Sequence, residues 1–370
     1  MKVTFRTDAA LQIGTGHVMR CLTLADTLTT QGADCRFLCR MYEGNLIELI
    51  CSKGYIVHVL QRAGTGETNS AKIHANAPGP ELAHSQWLGA TQTQDVVACL
   101  PIVSTIQPDW LIVDHYALDE HWERPLRQHC RKLMVIDDLA DRRHVCDLLL
   151  DQTFGRAVVD YRSFVPASCQ VLCGSQYALL RPDFATLRPY SLQRRIQAVL
   201  RDLLITMGGV DKDNVTGQVL QALRTCPLPT DCRITVVMGA TAPWLEKVRK
   251  QAQEMPWPTR VLVGVNTMAH LMADSDLAIG AAGATSWERC CLGLPTLMLV
   301  LAENQRSIAQ GLQRSGAAKL IHLNQNLKTQ LKKLLVPIID DASQLLHMSE
   351  CAASIADGSG VNAVIRQMKG

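Results

Sequence analysis

In Ile13-Gly14-Thr15-Gly16-His17-Val18-Met19-Arg20, two closely spaced glycines deliver a histidine to the start of an amphipathic segment that continues through Leu22, Leu24, Ala25 and Leu28. Glycine tolerates positive φ and lets backbone N–H groups approach a ligand, and the first turn of a helix carries partial positive charge. A histidine placed there sits beside any anion the helix end attracts. The same positive end disfavours imidazolium, so His17 is expected to be neutral near pH 7 and able to take up a proton. Such a group can act as a general base. The local motif alone also fits a plain strand-to-helix turn whose histidine only caps the helix.

A second small-residue turn, Ile279-Gly280-Ala281-Ala282-Gly283-Ala284-Thr285-Ser286-Trp287-Glu288, reads as strand, loop and helix start. Gly283, Ala284 and Thr285 leave room for a diphosphate on the helix N–H groups, and Glu288, one turn in, can accept hydrogen bonds from a ribose diol. Gly208 and Gly209 form a matching glycine turn after another apolar run. Val265 and Met268, in the stretch from Val263 to Met268, can meet a base through backbone groups. Asn304 and Gln305 offer amides to sugar hydroxyls, with a solvated loop as the equal alternative. Asp8, Asp114, Tyr116 and Asp137 each follow a predicted strand and, with Gly14, Thr15 and Gly16, are candidates to orient a sugar and a water.

Metal and cofactor chemistry find little support in the motifs. Asp211-Lys212-Asp213 precedes a helix that it can cap, and Asp274-Ser275-Asp276 precedes a strand, so neither triplet demands a cation. No metal and no cofactor are expected. The 14 cysteines are scattered and many are flanked by apolar residues, as at Cys21, Cys35, Cys39 and Cys290-Cys291, and no Cys-x-x-Cys occurs. Buried reduced thiols are the expected state. Ser286 lacks the Gly-x-Ser-x-Gly elbow, and neither glycine loop is Gly-x-Gly-x-x-Gly or a P-loop, which argues against a serine hydrolase and against dinucleotide or ATP use.

These residues need elements to place them. Apolar runs at Val3–Phe5, Arg36–Leu38, Ile56–Val59, Trp110–Val113, Lys132–Ile136 and Leu148–Leu150 alternate with helical stretches, which predicts a parallel sheet with ligands beyond its carboxyl ends. The alternation restarts at Leu203, with further strands at Ile234–Val237, Val261–Val263, Leu277–Ile279 and Thr296–Val300. The expected fold is α/β, two Rossmann-like domains facing a central cleft. Residues 1–175 are expected to form the Rossmann-like domain with the base, 176–200 a linker and 201–370 the Rossmann-like domain whose glycine turns bind the nucleotide. Residues 63–85 read as a long irregular loop, a lid or an insertion, and 342–368 as a last helical stretch.

With 370 residues, 47% hydrophobic and 19% charged, the chain has the composition of a globular enzyme. Its charge of +3 is interspersed, which gives no reason to expect a nucleic-acid partner. No segment reaches the apolar length of a membrane span and the opening residues lack a signal-peptide core, so the protein is expected in the cytoplasm, as a monomer without membrane insertion.

Taken together the motifs resemble one family, the UDP-sugar hydrolase of pseudaminic acid biosynthesis, whose two-domain architecture is that of GT-B glycosyltransferases. The resemblance rests on Arg6-x-Asp8 with Gly14 to Arg20, Val113-Asp114-His115-Tyr116, Ile136 to Arg142, Asp147 to Gln152, Tyr177 to Pro182, Met207 to Asp211, Gly280 to Glu288 and Asn304-Gln305. It implies inverting, metal-independent hydrolysis of UDP-2,4-diacetamido-2,4,6-trideoxy-beta-L-altropyranose to UDP and free sugar, a step that serves flagellin glycosylation, with His17 as the base. Two departures stand out. Thr153 replaces a usual asparagine, and Ser175-Gln176 replaces a proline-containing turn. A GT-B glycosyltransferase using a UDP-amino sugar is the alternative, and a nucleotide-sugar-binding subunit without chemistry a further one.

Overall fold

The computed structural model describes residues 1–61, 82–240 and 242–370. The residues read as a lid or insertion, 63–85, lie outside that description except for 82–85. Among the described residues the chain divides into two compact units. The first comprises Met1–Gln152, Arg156–Cys173 and Ile365–Gly370, and the second Thr153–Gly155 and Gly174–Val364.

The first unit is built on strands β1 (Lys2–Thr7), β2 (Asp34–Arg40), β3 (Ile56–Leu60), β4 (Trp110–Asp114), β5 (Lys132–Ile136), β6 (Leu148–Asp151) and β7 (Gln170–Cys173). All pair in parallel, in the order β3-β2-β1-β4-β5-β6-β7. The strand order therefore reverses between β1 and β4, the place where ligands enter such sheets. The helix Gly16–Thr30 follows β1 and buries Val18, Cys21, Leu22, Leu24, Ala25 and Leu28. Those positions recur with helical period, so one face is fixed to the sheet and the helix start is held at the switch point.

The second unit repeats the plan with β8 (Asp202–Thr206), β9 (Arg233–Met238), β10 (Thr259–Val263), β11 (Leu277–Ala281), β12 (Thr296–Leu299) and β13 (Ala318–Ile321). These are parallel in the order β10-β9-β8-β11-β12-β13, with the reversal between β8 and β11. The two glycine turns of this half leave those two strands. Its core is a continuous apolar layer including Leu203, Ile205, Val219, Leu220, Ile234, Val236, Leu277, Ile279, Leu297 and Leu299.

Three segments differ from the sequence expectation. The stretch 176–200, read as a linker, contains the helix Pro182–Arg195, which opens on a proline and belongs to the second unit. Buried Arg195 pins it there by donating to the carbonyls of Leu292, Ser275 and Met272 at 2.7–2.9 Å. The last helical stretch is two helices, Ser343–Ala353 and Gly360–Lys369, separated by residues that include Gly358 at φ 87°. Its end returns to the first unit, where Trp110 Nε1 donates to the Met368 carbonyl at 3.2 Å. No helix among the described residues is long and apolar enough to cross a membrane. All fourteen cysteines are free thiols, with Cys21, Cys35, Cys39, Cys290 and Cys291 buried.

Candidate active site

His17 is the second residue of its helix and is 8% exposed. Gly14 takes φ 81° and donates its N–H to the Ala10 carbonyl at 2.8 Å, closing the turn that aims the helix start. Gly16 opens the helix without positive φ, and Thr15 occupies the cap position without a side-chain bond. A Cβ added at Gly14 or Gly16 would meet nothing within 4 Å, so the need for glycine at 16 does not come from packing within the protein.

The end of β4 supplies the partner of the histidine. His17 Nδ1 lies 2.6 Å from Asp114 Oδ1, and Arg20, one turn along the same helix, donates to both oxygens of that carboxylate at 2.6 and 2.7 Å. Burial alone would push the Asp114 carboxyl up, but the Arg20 guanidinium and the His17 ring overcome it and hold the group well below the usual carboxylate range. An ionised carboxylate only accepts hydrogen bonds, so Nδ1 carries a proton, and in the neutral ring the lone pair is on Nε2. Arg20 also reaches Asp138 at 2.6 Å, and the Tyr116 hydroxyl donates to the same Asp138 oxygen at 2.8 Å. That bond turns the Tyr116 ring edge-on to His17, with centroids 4.5 Å apart. The arrangement holds the imidazole rigidly, with a buried counter-charge behind it and an aromatic ring packed against it.

In the second unit the turn after β11 leads into the helix Thr285–Cys291, with Ala284 exposed at its cap and Gly283 half-buried. Glu288 is half-buried and its carboxyl makes no hydrogen bond among the described residues, and burial pushes that carboxyl up to about 7 against the opposing pull of Arg181 and Arg289. Gln305 Oε1 accepts from the Leu301 N–H at 3.0 Å, while its Nε2 lies 4.0 Å from where a Gly283 Cβ would stand. Asn304 is half-buried in the adjoining turn Glu303–Gln305. Gly208, at φ 88°, and Gly209 leave β8, and the Gly209 carbonyl packs so closely on Gly239 that a Cβ there would be 2.0 Å away. Val265 and Met268 lie half-buried just beyond β10.

Residues 203–362 match the glycosyltransferase family 28 C-terminal domain. The chain is 27% identical over 317 residues to the UDP-2,4-diacetamido-2,4,6-trideoxy-beta-L-altropyranose hydrolase of Campylobacter jejuni, covering 85% of this chain and 97% of that protein. It is 25% identical over 173 residues to the UDP-N-acetylglucosamine--N-acetylmuramyl-(pentapeptide) pyrophosphoryl-undecaprenol N-acetylglucosamine transferase of Salinibacter ruber, covering 45% and 46% of the two chains. The crystal structure of Acinetobacter baumannii MurG superposes with a TM-score of 0.71 at 17% identity, covering 100% of this chain and 99% of that one. The fold is GT-B.

Within the GT-B fold the structure separates the acidic candidates. Asp114 does not face solvent as a sugar ligand would; both oxygens are spent on His17 and Arg20, so it acts behind the base. Asp8 is fully buried, paired with Arg6 Nη1 at 2.8 Å and accepting from the Arg40 N–H at 2.6 Å. It belongs to a buried network in which Arg6, Arg40 and Trp122 also converge on Asp95. Asp137 is likewise buried, taken by Arg142, Tyr161 and the Ala140 N–H at 2.8–2.9 Å. Neither can contact a sugar. A carboxylate at the end of a buried strand must be paired within the protein, and a basic residue two to five positions away in sequence supplies that pairing.

One carboxylate of each Asp-x-Asp triplet is occupied as well. Asp211 accepts from the Val215 and Thr216 N–H groups at 2.8 and 2.9 Å, and Asp276 from the Arg201 and Asp202 N–H groups and Arg194. Sequence reasoning passed over Arg20, although its position three residues after His17 puts it on the same helix face. It also passed over Arg289, which lies buried beneath the β11 turn and donates to Ala281 O at 2.7 Å and Ser286 Oγ at 3.2 Å.

Proposed function

We propose that this protein hydrolyses a UDP-linked 2,4-diacetamido-2,4,6-trideoxy hexose to UDP and the free sugar, in pseudaminic acid biosynthesis. The observation that carries the proposal is the His17–Asp114 pair at the switch point of the first sheet. Nε2 of His17 removes a proton from water as the oxygen attacks the anomeric carbon; the C–O bond to the diphosphate breaks and UDP leaves with the electron pair. Asp114 stabilises the imidazolium that forms. UDP is a good leaving group, and the backbone N–H groups of the Gly208-Gly209 and Gly283–Thr285 turns stabilise its growing charge. Attack opposite the diphosphate inverts the anomeric centre. Likeness to the Campylobacter hydrolase along nearly its whole length supports this reading. Incubation of the pure protein with the UDP-sugar and no acceptor tests it: equal amounts of UDP and free sugar are expected, and an absolute requirement for a hydroxylic acceptor would instead favour a transferase.

That second reading is a GT-B transferase using a UDP-amino sugar, which the family 28 match and the Salinibacter relative favour. A binding subunit without chemistry has no use for a histidine backed by a buried carboxylate. Hydrolysis is expected to proceed at full rate in excess EDTA, since turns and helix starts can hold the diphosphate without a cation. Loss of activity that magnesium restores would contradict this.

Glu288 is assigned to the ribose diol, as an acceptor that the protein leaves unbonded. Glu288→Ala should then weaken UDP binding by roughly 1–3 kcal/mol, the value of a charge-assisted hydrogen bond. Only the ionised carboxylate accepts from both hydroxyls, and the protonated form predominates below about pH 7. UDP affinity should therefore fall between pH 8 and pH 6 more steeply in the native protein than in Glu288→Gln. Parallel calorimetric titrations of UDP check both expectations, because the Gln variant carries the same titration of the UDP phosphate and lacks only that of the carboxyl.

A further inference from the structure

The turn Ser85–Leu88 is held tightly from behind. Leu88 is 1% exposed in the core of the first unit, the Tyr42 hydroxyl donates to the Trp87 carbonyl at 2.9 Å, and Gly89, at φ 61°, passes so close to Tyr42 that a Cβ would be 2.8 Å from its oxygen. The clamp presents two half-buried rings, His84 and Trp87, with centroids 4.3 Å apart. Both pack on Tyr116: Trp87 lies 5.9 Å from it at an interplanar angle of 26°, and His84 5.5 Å from it. Tyr116 in turn meets His17 edge-on. The base therefore stands at one end of an aromatic surface whose outer members are held in place by their backbone.

The polar edges of those outer rings are unspent. Trp110, Trp122, Trp244 and Trp257 each donate the indole N–H to a carbonyl or carboxylate, whereas among the described residues the indoles of Trp87 and of Trp287 in the core of the second unit do not, and both His84 ring nitrogens are also without a hydrogen-bond partner. Buried or half-buried Trp N–H groups ordinarily find a partner. Burial lowers the His84 pKa against the opposing pull of Asp141, and so favours a neutral ring that offers one donor and one acceptor.

We propose that His84 and Trp87 are the sugar-binding face of the His17 site, with the rings packed on the methyl groups of an N-acetylated 6-deoxy hexose and their N–H groups donating to its acetamido carbonyls. The proposal rests on the reading of His17 as the base that faces the anomeric carbon. A flat apolar surface with donors at its rim suits a sugar that has exchanged hydroxyls for a methyl and two acetamido groups, and suits a fully hydroxylated hexose less well.

Calorimetric titration in a His17→Asn background, where the ligand stays intact, separates sugar from nucleotide. UDP and the UDP-diacetamido-trideoxy sugar are titrated into that protein and into the same protein carrying Trp87→Ala, Trp87→Phe or His84→Ala. Trp87→Ala is expected to weaken the UDP-sugar about tenfold, which is about 1.4 kcal/mol, and UDP less than twofold. Trp87→Phe keeps the packing and loses the N–H donor, so a loss smaller than that of Trp87→Ala is expected, which guards against a variant that simply fails to fold. His84→Ala should act in the same direction by a smaller factor. Equal effects on the two ligands, or no effect on either, would overturn the assignment of these rings. The two readings fail separately: near-normal turnover by His17→Asn removes the base, and Trp87→Ala in the otherwise native protein then reports on the rings, through a higher KM for the UDP-sugar at unchanged inhibition by UDP.

Discussion

His17→Asn and His17→Ala are expected to fold normally, bind UDP with nearly unchanged affinity and turn over at least about a hundredfold more slowly than the native protein, the usual loss when a positioned base is removed. The expectation follows from where the imidazole is held. It stands at the start of the helix after β1 with Nδ1 committed to Asp114, so no other group in contact with it is free to take the proton from water. Asp114 is behind the ring, Tyr116 has given its hydroxyl to Asp138, and Arg20 stays protonated because Asp114 and Asp138 outweigh its burial. Steady-state assays of UDP release beside calorimetric UDP titration provide the check. Near-normal turnover in either variant would mean that the base lies elsewhere.

Asp114→Asn is expected to be nearly as damaging, lowering turnover by about 10²–10⁴-fold, in line with the loss that follows when a histidine's orienting carboxylate becomes an amide. The asparagine amide can turn its NH₂ toward Nδ1 and stabilise the tautomer whose Nε2 bears the proton. The base is then blocked at the atom that must accept. The change also withdraws the charge that stabilises imidazolium and leaves Arg20 with Asp138 alone. A reading that treats Asp114 as a sugar ligand predicts mainly a higher KM. The dyad predicts a fall in kcat with UDP affinity intact, so the split between kcat and KM decides between them, provided thermal unfolding shows the variant folded.

The parts of the site that were legible in the sequence are those whose chemistry is local. A glycine pair before a histidine, placed between an apolar run and a helical stripe, specifies strand, turn and helix start within a few residues. The same holds for the turn from Gly280 to Glu288. What escaped depends on side-chain pairing. Asp8, Asp114 and Asp137 look alike as polar residues at strand ends, yet Arg6 and Arg142 from nearby in sequence and Arg20 from 94 residues away claim them, and such pairing has no periodic signature. The strands β7 and β13 were missed for another reason: each has four residues, lies at a sheet edge and carries a polar residue that interrupts the apolar run. His84 and Trp87 stood beside a Gly- and Pro-rich segment that masked them as loop. Only the contact with Tyr116 connects them to the base.

The claim at the centre of this account is that water attacks carbon at the anomeric centre and leaves the diphosphate intact. Running the reaction in ¹⁸O-water without any acceptor and weighing the UDP by mass spectrometry tests it directly. The account predicts unlabelled UDP formed in step with free sugar, because the oxygen of the attacking water stays with the sugar. Label in the UDP would place the attack at phosphorus, and no UDP without an added acceptor would mean that water is not the nucleophile; either result contradicts it.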